Sequence, residues 1–439
     1  MISYFEYKEL SRRQIDELII RNADTDQKIR SQVESIVETV KKTGDQALID
    51  YAEQFDGIEL SELAYRQGEI DAAAMRVDRN HARSLEIASN NIYTFHKTQL
   101  KRERRTQTTT GVTCWRENRP IERVGLYIPG GSAVLPSTFL MLGIPARIAG
   151  SKKIVVCTPP QKDGRLNPYI AYCAKLLKID TIYKAGGAQA IAAMAFGTES
   201  IPKVDKIFGP GNQYVTQAKS LVQTISNTAI DMPAGPSEVV VIGDRSSNPV
   251  FVAADLLAQA EHGPDSQSIL LTSDKQLAKQ VQEELKTQLE DLPRKEIAAK
   301  ALANSYIINF EKEEELMDFC NEYAPEHLIL SVDNPESLGS QIMNAGSVFY
   351  GHLTPESAGD YASGTNHTLP TSAYAKAYSG VSVDSFVKKI TFQQINEEGI
   401  LNLGPVVETL AEIEGLAAHK NAISVRLRQI KNSEDSQYV

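Results

Sequence analysis

From about residue 122 onward, short unbroken apolar runs alternate with stretches of helical character, and this alternation limits the chain to very few architectures. "RVGLYIP" reads as a strand, "FLMLGIPARIAG" as a helix, "KIVVCTP" as a strand and "PYIAYCAKLLK" as a helix. "TIYKA" then reads as a strand, "AQAIAAMAFG" as a helix, and "VDKIFGPG" leads into the helix "NQYVTQAKSLVQT". "SEVVVIGD", a helix over 249–261, "QSILLTSD" and a helix after Asp274 repeat the scheme. Continuous apolar strands separated by helices are buried on both faces, so they belong to parallel, doubly wound sheets. Two such sheets are expected, over about 130–237 and 238–380. Helices precede them. "SRRQIDELIIRN" opens with Ser11 and Gln14 in capping-box spacing. "KIRSQVESIVETVKKTG" keeps Ile29, Val33, Ile36, Val37 and Val40 on one face and stops at Gly44. A further helix is expected over about 80–98. The tail after 381 reads as mainly helical.

Doubly wound sheets bind ligands at the carboxyl ends of their strands. Three glycine-rich segments fall at such ends: "YIPGGSAVLPS", "AGGAQAI" and "FGPGNQYV". None matches the standard dinucleotide fingerprint or a Walker A loop. Gly209 and Gly211 nevertheless lead into a helix whose free N–H groups can hold an anion. Each loop alone is explained equally well as a tight turn. Three at successive strand ends favour a nucleotide or phosphate cleft.

The chain has seven histidines, and two of them follow a glutamate directly. Gln259 and His262 share a face at a helix C-terminus. There the histidine serves either as a capping cation or as a metal ligand. His327 follows Pro325, which keeps Ala324 out of helical geometry. Glu326-His327 thus starts the strand "HLILSV" from a loop. Imidazole and carboxylate together suit acid–base work, and a solvated charged turn is the alternative. "TPESAGDYASGTNHTLPTS" carries Asp360 and His367 in a long, small, polar loop, either mobile or functional. Glu414 and His419 are five apart, so they share a face only if their helix breaks near Gly415. Alone, His419 reads as a surface residue. His81, His96 and His352 give no usable signal.

Composition excludes several classes. Of 439 residues, 42% are apolar and 23% charged, as in a folded globular protein. The net charge of −10 disfavours nucleic acid as a partner. Four scattered cysteines without a C-x-x-C pair argue against a thiolate zinc site and a disulfide scaffold. The most apolar long stretch, 133–150, is broken by Pro136, Pro145 and Arg147 before it could span a bilayer. With no signal-peptide pattern at the start, a soluble cytoplasmic protein is expected.

Taken together, "GLYIPGG", "KAGGAQAIAAMAFGT", "KIFGPGNQYVTQAK", "DMPAGPSEV", "AQAEHGPDSQS", "APEHL", "GHLTPESAGDYASGTNHTLPT" and "GLAAHKNA" resemble the histidinol dehydrogenase family over about 25–430. The resemblance implies an α/β fold of two incomplete Rossmann-like domains plus mainly helical arms exchanged in a homodimer. On this sequence that gives an arm over 1–24 and a first domain over 25–129 plus 238–380. A second domain with the NAD cleft covers 130–237, and a second arm 381–439. It implies oxidation of L-histidinol to L-histidine through the aldehyde with two NAD molecules and one zinc ion per site. The implied metal ligands are Gln259, His262, Asp360 and His419. Glu326 and His327 would be the catalytic pair. Ser237, His367 and Glu414 would hold substrate, with His327 and the metal ligands. Tyr127, Gln189 and Asn212 would lie along the NAD cleft.

Other readings of the same residues are a zinc hydrolase, which leaves the glycine loops unexplained, a related dehydrogenase for another small polar alcohol, and a non-catalytic metal- or nucleotide-binding module.

Overall fold

The computed structural model describes residues 2–20, 27–100, 103–130, 134–233 and 235–436. The tip of the "YIPGGSAVLPS" loop, 131–133, lies outside the described residues. The chain forms two compact units, Met1–Gln99 with Ile121–Phe386, and Leu100–Pro120 with Val387–Val439.

The larger unit holds two six-stranded sheets. In the first, the order is Ser3–Glu6, Tyr306–Asn309, Gln267–Thr272, Glu238–Gly243, His327–Ser331, Ser347–Tyr350, all parallel. In the second, it is Ala64–Arg66, Thr181–Lys184, Lys153–Thr158, Arg123–Tyr127, Lys206–Phe208, Ala229–Ile230. Only Ala64–Arg66 runs antiparallel there. In both sheets, apart from the edge strand that comes first in the chain (Ser3–Glu6 and Ala64–Arg66), the chain starts in the middle, winds to one side, then crosses to the other. That reversal creates a switch point, between Glu238–Gly243 and His327–Ser331 in one sheet and between Arg123–Tyr127 and Lys206–Phe208 in the other.

Side-chain alternation explains why both sheets are sandwiched. Val239, Val241, Ile307 and Ile329 enter one core with the helix Pro249–Ala260, while Val240, Ile242, Leu328 and Leu330 enter another on the opposite face. In the second sheet Val124 and Leu126 face one core, and Val155 and Cys157 the other. Cys157 and Cys173 are buried free thiols, as their apolar surroundings imply.

The sequence-derived helices appear at the expected places. Arg12–Ile19 carries the Ser11–Gln14 capping box. Gln27–Thr43 buries Val33, Ile36, Val37 and Val40, and Arg79–Lys97 starts from an Asp78 cap.

Several boundaries need correction. The first domain was expected to combine 25–129 with 238–380. Instead Ala64–Arg66 and Arg123–Tyr127 are strands of the sheet built by 130–237. Gln27–Thr43 packs against the helices Gly187–Phe196 and Gln213–Ile225 of that same layer. The break near 130 is the loop at a strand's carboxyl end, not a linker. The N-terminal arm also holds the strand Ser3–Glu6, whose partner is 303 residues away at Tyr306. Four residues with Tyr4 and Phe5 are too short to reveal a period.

The smaller unit adds a three-stranded antiparallel sheet of Thr106–Thr109, Val112–Pro120 and Val387–Ile395. Val387–Ile395 was read as part of a mainly helical tail. Its "VKKITFQQI" mixes polar and apolar residues on both faces, so no clean apolar alternation marks it. The helices Glu397–Ile413 and Ala417–Ser436 follow. They break at Gly415, which takes φ +71°.

Candidate active site

The first sheet gathers ionisable side chains at the amino ends of its central strands, the end opposite the one such sheets normally use. Pro325 and the left-handed Ala324, φ 54°, terminate the helix Glu313–Tyr323 and turn the chain into His327–Ser331. Register places Val239 beside His327, so Ser237 and Glu326 sit at the same end of adjacent strands. Glu326 and His327 are both buried. The Glu326 carboxylate accepts a hydrogen bond from the Glu238 N–H at 3.0 Å.

Two further elements close over His327. The helix Pro249–Ala260 runs back along the sheet and delivers Gln259 and His262 to this end. Gln259 is fully buried with neither side-chain atom hydrogen-bonded. The 354–372 stretch, expected as loop, contains the short helix Glu356–Tyr361. Its one-turn spacing puts Glu356 and Asp360 on one face, and that helix packs on Pro249–Ala260. Asp360 Oδ1 lies 3.2 Å from His327 Nε2. The carboxylates of Glu326 and Glu356 each lie 3.8 Å from His327 Nδ1. Ligand atoms of His262, Glu356 and Asp360 all lie within 4.8 Å of one another. Glu356 was not singled out from sequence. The E-x-x-x-D spacing was the available signal, hidden by reading a loop.

His367 completes the cluster. Its Nδ1 is 2.9 Å from the Asp360 carbonyl, which only a protonated Nδ1 can bond. Its Nε2 then accepts from the Thr138 hydroxyl at 2.8 Å. Thr138 belongs to the helix Pro136–Ala149 of the second sheet, so this bond ties the two sheets together at the site.

Electrostatics follow from burial among like charges. Burial pushes Glu326 up to about 7, with His327 opposing the shift. Burial by itself would lower His327, but Glu356, Glu326 and Asp360 outweigh it and raise it to about 10. Burial raises Glu356. Burial opposes ionisation of Asp360 too, yet the contact with His327 holds it below the usual carboxylate range. Burial lowers His367. It also lowers His262, whose ring is crowded by protein although the residue keeps an exposed edge. Both imidazoles therefore favour the neutral form that a metal or substrate can use.

At the carboxyl ends of the second sheet lies a cleft of about 1240 Å³. Tyr127, Gln189 and Asn212 all line it, with Gly130, Gly186 and Gly187. The Tyr127 hydroxyl accepts from the Gly187 N–H at 3.1 Å. Asn212 Oδ1 caps the helix Gln213–Ile225 through the N–H groups of Tyr214 and Val215, at 3.1 and 3.2 Å. Val134 lines the cleft four residues before Thr138, so the segment leading into the Pro136–Ala149 helix borders the cleft while Thr138 in its first turn meets the histidine cluster. Glu414 and His419 belong to the smaller unit, on either side of the Gly415 break. The larger unit by itself thus brings together Gln259, His262, Glu326, His327, Asp360 and His367, with Ser237 at the same strand ends. Among the described residues no helix is long and apolar enough to cross a membrane.

Comparison with known proteins agrees over nearly the whole chain. The family model described as Histidinol dehydrogenase matches residues 19–427. A Bacteroides thetaiotaomicron protein named histidinol dehydrogenase is 53% identical over 421 residues, covering 96% of this chain and 98% of its own. The chloroplastic histidinol dehydrogenase of Arabidopsis thaliana is 51% identical, covering 97% of this chain and 92% of its own. The crystal structure of histidinol dehydrogenase from Elizabethkingia anophelis superposes with a TM-score of 0.95 at 52% identity, covering 98% of this chain and 99% of that one. This oxidoreductase chain belongs to the histidinol dehydrogenase family.

Proposed function

We propose that the chain oxidises L-histidinol to L-histidine through L-histidinal, in two hydride transfers to two NAD molecules, the last step of histidine biosynthesis. The observation that carries this reading is the buried cluster around His327, joined by the Thr138–His367 bond to the rim of the cleft. In the first step His327 would take the hydroxyl proton as the carbinol hydride leaves, its imidazole made available as a base once the charge of a bound metal offsets the three carboxylates that otherwise keep it protonated. In the second, Glu326 takes a proton from the water that attacks the aldehyde carbon, and the second hydride leaves from the hydrate. Its pKa near 7 suits a base working at neutral pH. Tyr127, Gln189 and Asn212, which line the cleft, would hold NAD, and NAD would supply the hydride acceptor.

A zinc ion fits the residues present. Gln259 is buried with an unpartnered amide, Asp360 Oδ1 is buried without a hydrogen bond, and His262 stands beside Asp360 and Glu356. Nitrogen and oxygen donors without thiolates suit zinc, and also manganese or cobalt. Gln259, His262 and Asp360 would hold it, with His419 as the fourth ligand. When bound, zinc supplies a Lewis-acidic charge that orients substrate and offsets the carboxylates around His327. Ser237, His367 and Glu414 would then hold the substrate with these groups. We place His419 and Glu414 in the partner's site of a homodimer. Cytoplasmic residence belongs to the same proposal, supported by four cysteines that are all free.

The test is a steady-state assay of nicotinamide absorbance with NAD and a panel of amino alcohols. Two NADH formed per histidinol, with histidine as product, is the expected result. Turnover of other small polar alcohols in preference to histidinol would favour the related-dehydrogenase reading instead.

A further inference from the structure

The loop that leads into the Gln213–Ile225 helix is gripped by a buried ion pair. Lys219 and Asp231 have side chains only 5% and 1% exposed, and they are in direct contact. Lys219 Nζ donates to the Gly209 carbonyl at 3.0 Å. The Gly209 N–H donates to Asp231 Oδ2 at 2.9 Å, and the Met232 N–H to Asp231 Oδ1 at 2.8 Å. One residue's backbone is therefore held at both its N–H and its C=O by two opposite charges. Gly209 adopts φ +132°, and a Cβ there would collide with the Tyr127 carbonyl oxygen. The loop thus lies flush against the strand that carries Tyr127, at the switch point of the second sheet. Three residues on, Asn212 lines the cleft and caps the helix.

A buried ion pair contributes little net stability by itself, because desolvation cancels much of its attraction. Here the two charges are also the hydrogen-bond partners of a backbone that they hold in an unusual conformation. We propose that Lys219 and Asp231 are positioning residues for the nucleotide, fixing the Gly209–Asn212 loop so that Asn212 and the helix N-terminus meet NAD. The inference rests on the reading of the cleft as the NAD site. Neither residue touches the nucleotide or the histidinol cluster. Their loss acts on NAD affinity through the loop and leaves metal and histidinol binding alone.

The experiment compares Lys219→Met, the double variant Lys219→Met/Asp231→Asn, and Gln189→Ala in the zinc-loaded enzyme. It reads KM for NAD, KM for histidinol, zinc content and Tm. Lys219→Met leaves the buried Asp231 carboxylate without its contacting cation, with only the more distant Lys206 charge near it, and lowers Tm. The double variant removes both charges. The amide oxygen introduced by Asp231→Asn can still accept from the Gly209 N–H, while the Met232 N–H loses its acceptor, so Tm recovers in part. The Gly209 carbonyl still lacks its donor, so KM for NAD stays raised about tenfold or more, the loss of one hydrogen bond to a charged group. KM for histidinol and zinc content stay at wild-type values. Recovery of KM for NAD together with Tm in the double variant overturns the proposal, because the pair would then serve stability only. If Gln189→Ala raises KM for NAD and the double variant does not, the proposal fails and the cleft reading stands. If neither raises it, both fail.

Discussion

Glu326 and His327 are neighbours in sequence, yet the proposed mechanism gives them different work because their surroundings differ. Glu326 has one backbone donor and little else, so its charge is costly. His327 has three carboxylates around it, so its charge is favoured. Replacing Glu326 by Gln should slow oxidation of the aldehyde by about 10²–10⁴-fold, and slow that of the alcohol no more than this. Separate assays starting from histidinol and from histidinal check it, and unchanged aldehyde turnover would exclude Glu326 as the group that activates water. The same carboxyl couples stability to pH. Its pKa rises from 4.5 in the unfolded chain to about 7 in the fold. The contribution is fully present below 4.5 and is lost as pH rises through 7, because the folded state holds the proton longer. Metal-free Glu326→Gln protein should therefore gain Tm over metal-free wild type at alkaline pH and not at acid pH. A Tm difference independent of pH would contradict the shift.

At the scale of elements, the site is assembled by the ends of helices. The Pro249–Ala260 helix buries Val252, Ala253, Leu256 and Leu257 against the sheet, and this apolar face fixes where its C-terminus, with Gln259 and His262, arrives. The proposed ligands and the packing residues are thus separate on one segment. His262→Asn should abolish zinc binding and activity while leaving the fold intact, with far-UV circular dichroism unchanged. Elemental analysis of the purified variant checks this, and full activity in a metal-free variant would refute the metal's role. The Glu356–Tyr361 helix is six residues long, too short to be stable alone. It exists because it packs on Pro249–Ala260, and that is why 354–372 reads as loop.

For the molecule as a whole, the C-terminal helices leave a stripe unburied. Val406, Leu410, Ile413 and Leu416 are 52%, 55%, 75% and 43% exposed. Helices of this kind need a second surface for such a stripe, and the proposed homodimer supplies one. Subunit mixing tests whether the partner's site is completed by this arm. Inactive His262→Asn and His419→Asn proteins are dissociated and reassembled together. In a mixed dimer one site collects both lesions and the other none, so activity returns at up to about half of wild type for independent sites. If all ligands came from one chain, every site would keep a lesion. No activity in confirmed mixed dimers would reject the shared site.

Two doubly wound sheets were already implied by the order of residues, because strands buried on both faces must be continuous apolar runs and their connecting helices must carry a stripe. Glu326-His327 was likewise legible at a loop-to-strand junction, since Pro325 keeps Ala324 out of helical geometry and so ends the helix ahead of it. Other features depended on contacts between distant segments. Ser3–Glu6 and Val387–Ile395 are strands only because distant edges accept them, and "VKKITFQQI" shows no period of its own. Arg123–Tyr127 went to the second sheet because pairing with Lys153–Thr158 settles membership, whereas position along the chain does not. Glu356 joined His262 and Asp360 through the packing of two helices about a hundred residues apart. A local pattern reports what a segment can bury, and only the partner surface selects which side chains then meet.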